Sequence, residues 1–151
     1  MQVSKLYEDA QYPTRATKGS AGWDLYAQED VVILPKQSDS IGTGICVDVG
    51  RGYVGLLTHR SSFGFKLDTI ASFGVVDSDY RGEIRIKLFN LGNEGIYIKK
   101  GDRVAQLVVV PVFFSAYKEV DKLGETTRGS GGMGSTGGVS TGANVISNTI
   151  R

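Results

Sequence analysis

The sequence predicts an all-β fold, a sandwich or a barrel, on three observations. Short apolar runs recur along the chain, several alternating polar and apolar residues with the period of a strand. Turn-forming glycine punctuates them: the 151 residues hold 21 glycines but only 3 prolines, against about 11 glycines at the usual usage of ~7%. And no stretch carries three turns of amphipathic helical pattern, which excludes the α/β classes. A chain of this length suits one domain with its own core.

The elements follow in order. Gln2–Tyr7 alternates and reads as a strand, Ala10–Ser20 is irregular around Pro13 and Gly19, and Ala21–Ala27 sets one acid, Asp24, among apolar neighbours. Val31–Leu34 reads as a buried strand stopped by Pro35. Ile41–Val49 alternates throughout, Gly50-Arg51-Gly52 turns the chain, and Tyr53–Thr58 is the next strand. His59–Lys66 breaks the pattern, with Ser61 or Ser62 suited to cap a short helix. Thr69–Ala71 and Ile84–Leu88 flank a polar cluster, Ile96–Ile98 follows Gly92–Gly95, and Val104–Val112 is a long apolar run interrupted by Gln106 and Pro111. These segments make a core domain of residues 1–123. From Gly124 to Gly142 the chain holds eight glycines among Ser and Thr, a composition that cannot bury a core. Residues 124–151 therefore read as an arm, whose last stretch from Ala143 to Ile150 regains strand character.

Composition excludes several functions. Lys+Arg of 17 against Asp+Glu of 16 lacks the basic excess of a nucleic-acid binder. No apolar run reaches the ~18 residues of a membrane span, and no signal-peptide core opens the chain. Cys46 is the one cysteine; it fits a strand thiol in a reducing intracellular compartment such as the cytoplasm. No His/Cys set exists for zinc, so a metal would be a hard cation held by carboxylates, water and phosphates, magnesium first.

Five clusters hold polar or glycine residues that packing does not require. The central one is Gly74-Val75-Val76-Asp77-Ser78-Asp79-Tyr80-Arg81-Gly82-Glu83, two acids, a tyrosine and an arginine between two apolar segments. Alone it reads as a charged hairpin tip. The others are Asp24, Arg60-Ser61-Ser62, Gln106 within Ala105-Gln106-Leu107, and the run Arg128–Gly137. Gly129–Thr136 nearly fits the phosphate-loop pattern, but Ser135 stands where the lysine belongs and no helix-forming stretch follows. Its glycines still permit backbone N–H groups to converge on phosphate oxygens, with Arg128, Ser135 and Thr136 as added donors. His59, the sole histidine, has no triad-type partner and reads as structural.

In this order the clusters resemble the five motifs of the homotrimeric dUTPase family (deoxyuridine triphosphate nucleotidohydrolases): Ala21–Leu25, Arg60–Ser62, Gly74–Glu83, Gly101–Leu107 and Arg128–Gly138. The resemblance implies a jelly-roll trimer whose three sites each draw on three chains, the fifth motif arriving on an exchanged C-terminal arm. It implies hydrolysis of dUTP to dUMP and pyrophosphate by attack on the α-phosphorus, which keeps uracil out of DNA and supplies dUMP for dTMP synthesis. Asp77 is then the general base, Tyr80 packs under the deoxyribose, and Ala71, Gly74, Val75 and Val76 line the strip that reads uracil. Asp24 holds waters of a Mg²⁺ bound to the phosphates. Ser61 and Gln106 contact the α- and β-phosphate region, with Arg60 a supporting residue and Ser62 a further substrate contact; Arg128, Ser135 and Thr136 close over the γ-phosphate, with Gly134 a further substrate contact. Met133 stands where the family usually stacks an aromatic on uracil, a weaker contact. Two rivals share the scaffold: a dCTP deaminase, for which Glu83 is the one nearby acid, and a non-catalytic binding or regulatory protein. A regulatory protein partner is compatible with catalysis.

Overall fold

The alternating segments pair as antiparallel ladders in a computed structural model that describes residues 1–132. The elements are β1 (Gln2–Lys5), β2 (Gly22–Tyr26), β3 (Val31–Ile33), β4 (Ser38–Asp48), β5 (Tyr53–His59), α1 (Ser61–Leu67), β6 (Thr69–Ala71), β7 (Gly74–Val76), β8 (Glu83–Asn90), β9 (Ile96–Ile98) and β10 (Arg103–Pro111). They form two four-stranded sheets, β1-β4-β8-β6 and β2-β10-β5-β7, and a two-stranded sheet, β3-β9. Neither large sheet closes on itself, so of the two predicted forms the sandwich is the one observed.

Period-two burial builds the core. In β8 the residues Ile84, Ile86, Leu88 and Asn90 face inward while Arg85, Lys87 and Phe89 face out. Ile41, Ile45 and Val47 of β4 join them, and Leu25, Leu57, Val76, Val104 and Leu107 come from the second sheet. Val31, Ile33, Ile96 and Ile98 form the inner face of the small sheet, with Val32 and Tyr97 outward. Val31–Leu34 is thus half-buried, not wholly buried as its unbroken apolar run predicts. Asn90, 1% exposed, fastens this small sheet to β8: its Nδ2 donates to the carbonyls of Ile33 (3.0 Å) and Glu94 (2.7 Å), and its Oδ1 accepts from Gly92 N (2.9 Å).

Helix α1 starts without a side-chain cap. Arg60, not Ser61 or Ser62, occupies the N-cap position in extended conformation. The helix ends where Asp68 turns left-handed (φ 47°) and its N–H bonds to Phe63 O.

A polar clasp joins the turns at one end. Asp30 accepts Lys100 N at 2.7 Å and Tyr97 Oη at 3.1 Å, and Asp9 accepts Lys100 Nζ and Gln28 Nε2. The Lys100 ammonium, then Gln28, holds the Asp9 carboxyl below its ordinary value of 3.8. The Lys100 N–H, then Tyr97, does the same for Asp30. The bond to Asp30 raises Tyr97 in turn. Depressed carboxyls stabilise the fold above their unfolded value, and that contribution is lost as pH falls through 3.8 towards the lower native values. Asp30→Asn is therefore expected to flatten the stability-against-pH curve in this acid range, read by urea unfolding at stepped pH. An unchanged curve would mean that these exposed contacts contribute nothing.

Met1–Ser115 form one compact unit, and the chain from Ala116 counts as a second. The first unit ends nine residues before Gly124, where the composition changes. Residues 116–132 hold neither strand nor helix. No helix among the described residues is long and apolar enough to cross a membrane.

Candidate active site

The central cluster does not sit on a hairpin. β6 pairs with β8 in one large sheet and β7 with β5 in the other, so residues 71–83 pass from sheet to sheet and back. Each of β6 and β7 is the edge strand of its sheet, which leaves one backbone edge of Ala71 and of Gly74–Val76 without a strand partner among the described residues. From Val76 the chain turns: Tyr80 N bonds to Asp77 O at 3.1 Å. The Tyr80 hydroxyl donates to Glu83 O at 3.0 Å, and its ring lies so near Gly82 that a Cβ there would stand 2.4 Å from Oη. Arg81 pins the turn from outside, donating to Ser78 O and Tyr80 O and pairing with Asp48 of β4 at 3.0 Å. Asp77, Asp79 and Tyr80 are left exposed. Asp77 lines an open cleft of about 880 Å³ together with Arg51, Tyr53, Val75, Val112 and Phe114.

The second set of residues gathers elsewhere. Asp24 on β2 lies opposite Gln106 on β10, which lies opposite Thr58 on β5. Asp24 Oδ1 pairs with Arg60 Nε at 3.0 Å and Oδ2 with Arg103 Nη1 at 3.3 Å. The Gln106 amide donates to His59 O at 3.3 Å. Gly22 makes room for that amide, since a Cβ there would meet Gln106 Oε1 at 2.7 Å. Asp24, Arg60, Ser61 and Gln106 line one open cleft of about 430 Å³ with Ala16, Ser20 and Gly22. Ser62 is the next residue of helix α1, half-buried.

The two sets stand at opposite ends of β5. Val76 pairs with Gly55, and Gln106 with Thr58. Asp77, one residue past Val76, is therefore roughly 13 Å from the Gln106 level along the strand at ~3.3 Å per residue, and two strands across. The cleft that Asp77 lines shares no residue with the clefts that Gln106 lines.

Arg128 belongs to the second unit. Its Nε donates to Gly131 O at 3.0 Å, and Gly131 N returns a bond to Arg128 O at 3.0 Å. Gly129, at φ 53°, bonds through its N–H to Thr126. Two glycine N–H groups of this run thus close its own turns. Met133, Gly134, Ser135 and Thr136 lie outside the described residues.

For a metal, no group of three or more His, Cys, Asp or Glu side chains gathers among the described residues. Asp24 already engages both oxygens with guanidinium groups, which would compete with a directly bound cation for the carboxylate. Each oxygen keeps lone-pair capacity, and the carboxylate borders the open cleft. The residues fit a Mg²⁺ held mainly by phosphates and water, with Asp24 accepting from a bound water.

A family model described as dUTPase matches residues 8–137. The chain belongs to the dUTPase family. The deoxyuridine 5'-triphosphate nucleotidohydrolase of Nautilia profundicola is 42% identical over 139 residues, covering 91% of this chain and 98% of its own. The mitochondrial human enzyme of that name is 40% identical over 91% of this chain and 54% of its own length. Among solved structures, the dUTPase of Staphylococcus bacteriophage 80alpha with dUpNHpp superposes with a TM-score of 0.85 at 31% identity, over 90% of this chain and 97% of that one. A mutant dUTPase of S. aureus phage phi11, described with a structural Mg(II) ion, gives 0.76 at 31%, over 80% and 96%.

Against the dUTPase motifs, the fold collects Asp24, Arg60, Ser61 and Gln106 and keeps Asp77 and Tyr80 apart from them. Arg103 and the His59 carbonyl are partners that the sequence reading did not assign. Arg103 stands inside the fourth motif, so position was a signal, but its direction depends on a strand irregularity that no periodicity shows.

Proposed function

We propose that this dUTPase-family chain hydrolyses dUTP to dUMP and pyrophosphate, at sites each completed by three chains. The separation of Asp77 from the Asp24–Gln106 cleft carries this reading: a single chain offers a base and a phosphate cradle that do not meet. A homotrimer that sets the β7–β8 turn of one subunit against the β2–β10 cleft of a neighbour unites them. Exposed Phe73, Val75, Phe113 and Phe114 are apolar surface of the kind that association buries.

In this reading the unpaired edges of β6 and β7 supply backbone donors and acceptors to uracil from Ala71, Gly74, Val75 and Val76. The Tyr80 ring, held by its bond to Glu83 O, packs under the sugar and leaves no room for a 2′-hydroxyl. Asp77 accepts a proton from the water that attacks the α-phosphorus, and pyrophosphate leaves. Ser61, the Gln106 amide and the Arg60 guanidinium face the charge that grows on the phosphates. Mg²⁺, when bound, neutralises part of the triphosphate charge. The arm of residues 124–151, with Arg128, Met133, Gly134, Ser135 and Thr136, closes a neighbour's site.

The deaminase alternative needs Glu83, but that carboxylate accepts Gly44 N at 2.9 Å and pairs with Arg85 at 2.8 Å. The test is pyrophosphate release from dUTP, dTTP, dCTP and UTP in parallel with Mg²⁺. Release from dUTP alone is expected; ammonia from dCTP or indifference to the base would overturn the assignment.

Gly22→Ala probes the cradle. The added methyl meets Gln106 Oε1 at 2.7 Å and Gln106 Cβ at 3.2 Å, so the amide must swing. A displacement of this order is expected to lower kcat/KM for dUTP between about tenfold and about a hundredfold. Steady-state kinetics reads it, and full activity would remove Gln106 from the phosphate contacts.

A further inference from the structure

We propose that Arg103 is a positioning residue: it holds the Asp24 carboxylate, and so keeps the Arg60 guanidinium open towards the triphosphate. The proposal rests on the dUTP reading above.

Strand β10 carries an irregularity between Arg103 and Ala105. Strict alternation from Leu107, which faces the core, puts Gln106 outward and Ala105 inward. Val104 should then be outward, yet Val104 and Ala105 are both fully buried. The pairing with β2 shifts at the same place, Arg103 opposite Tyr26 and Ala105 opposite Leu25. Such a bulge re-aims the side chain beside it. Without it, Arg103 would share the inward face of Ala105 and Leu107. With it, Arg103 emerges on the face of Gln106 and of Asp24, which is paired to Gln106.

On that face Asp24 is only 7% exposed although it points away from the core, and two arginines pair with it. They divide its oxygens: Arg60 Nε takes Oδ1 and Arg103 Nη1 takes Oδ2. Arg60 meets Asp24 as an ion pair through Nε, without a hydrogen bond, and its two terminal nitrogens donate no hydrogen bond among the described residues. That pair is the fork a phosphate accepts bidentately. Without Arg103, Oδ2 loses its counter-charge. The carboxylate then turns onto Arg60 and takes the fork for itself, since a covered carboxylate seeks its remaining cation. Arg103 therefore acts through Asp24 and need not touch the substrate.

The test is calorimetric binding of the imido analogue dUpNHpp and of deoxyuridine, with Mg²⁺, to the full chain. Arg103→Gln is expected to weaken dUpNHpp binding about tenfold, the scale of outer-shell partners, and to leave binding of deoxyuridine, which has no phosphate, unchanged. In an Asp24→Asn background the same change should have no further effect. Arg103→Lys keeps a cation on Oδ2 and should restore most of the affinity; Arg103→Met, which keeps the apolar stem without the charge, carries the cycle if the glutamine variant folds poorly. Additive losses would mean that Arg103 contacts phosphate directly, and equal losses for deoxyuridine would mean a general structural role. Either result, or unchanged analogue binding, overturns the proposal. Failure of the unmodified protein to bind dUpNHpp would show before any variant is made, and would sink the dUTP reading itself.

Discussion

Asp77→Asn is expected to lower dUTP turnover by roughly 10²–10⁴-fold, the usual worth of a positioned general base, while substrate affinity stays close to the wild-type value. Asparagine keeps the shape of the side chain and removes its basicity. The backbone turn that presents it is made by Asp77 O and Tyr80 N, which the substitution leaves alone. The carboxylate itself is exposed, so its neutralisation leaves no buried charge and the melting temperature should hold. Single-turnover measurement with saturating enzyme separates the chemical step from binding. Turnover within a few-fold of wild type would take the base from Asp77, and Asp79, exposed on the same turn, would be the next acid to test.

The largest stability effect is expected at a residue far from any chemistry. Asn90→Ala removes one donor pair and one acceptor from a site 1% exposed to solvent, stranding the Ile33 and Glu94 carbonyls and the Gly92 N–H. Each stranded group costs about 1–3 kcal/mol, offset where water reaches the loop. A net loss of about 3 kcal/mol is expected, on the order of 10 °C in Tm for a chain of this length. Asn90→Asp keeps an acceptor for Gly92 but loses both donors and buries a charge, so it should fare no better. Thermal unfolding followed by circular dichroism is sufficient. A loss under about 1 kcal/mol would mean that apolar packing of Ile33, Ile96 and Ile98 fastens the small sheet without this knot.

Both residues show what a sequence discloses. The strands of β8 and β4 were legible because alternation is local: Ile84, Ile86 and Leu88 announce an inward face, and Asn90 continues the same phase. That phase was the signal for its burial, and an amide in an apolar series is easily taken for the end of a strand. Pairing was not legible, since nothing near Gly74 or Thr69 states that one joins β5 and the other β8. The central cluster therefore reads as a hairpin, whereas tertiary packing draws its two flanks into different sheets. The polar residues Asp24, Arg60, Ser61 and Gln106 stood out as unnecessary for packing, and the fold does bring them together. Arg103 did not stand out. Its direction comes from the bulge at Val104 and Ala105, a departure from periodicity that only the paired strand reveals. The capping expectation failed for a simpler reason: Arg60 is held in extended conformation at the N-cap while tied to Asp24, which displaces Ser61 into the first helical position.

The two clefts at opposite ends of β5 have a genetic corollary. If catalysis joins the turn of one subunit to the cradle of another, a chain disabled at Asp77 and a chain disabled at Gln106 are defective in different halves. Alone, each assembles only dead sites. Coexpressed, they form mixed assemblies in which some interfaces pair an intact turn with an intact cradle, and activity returns although no single polypeptide is whole. Two loss-of-function alleles would then complement one another within the same gene product, whereas two alleles striking the same half would not.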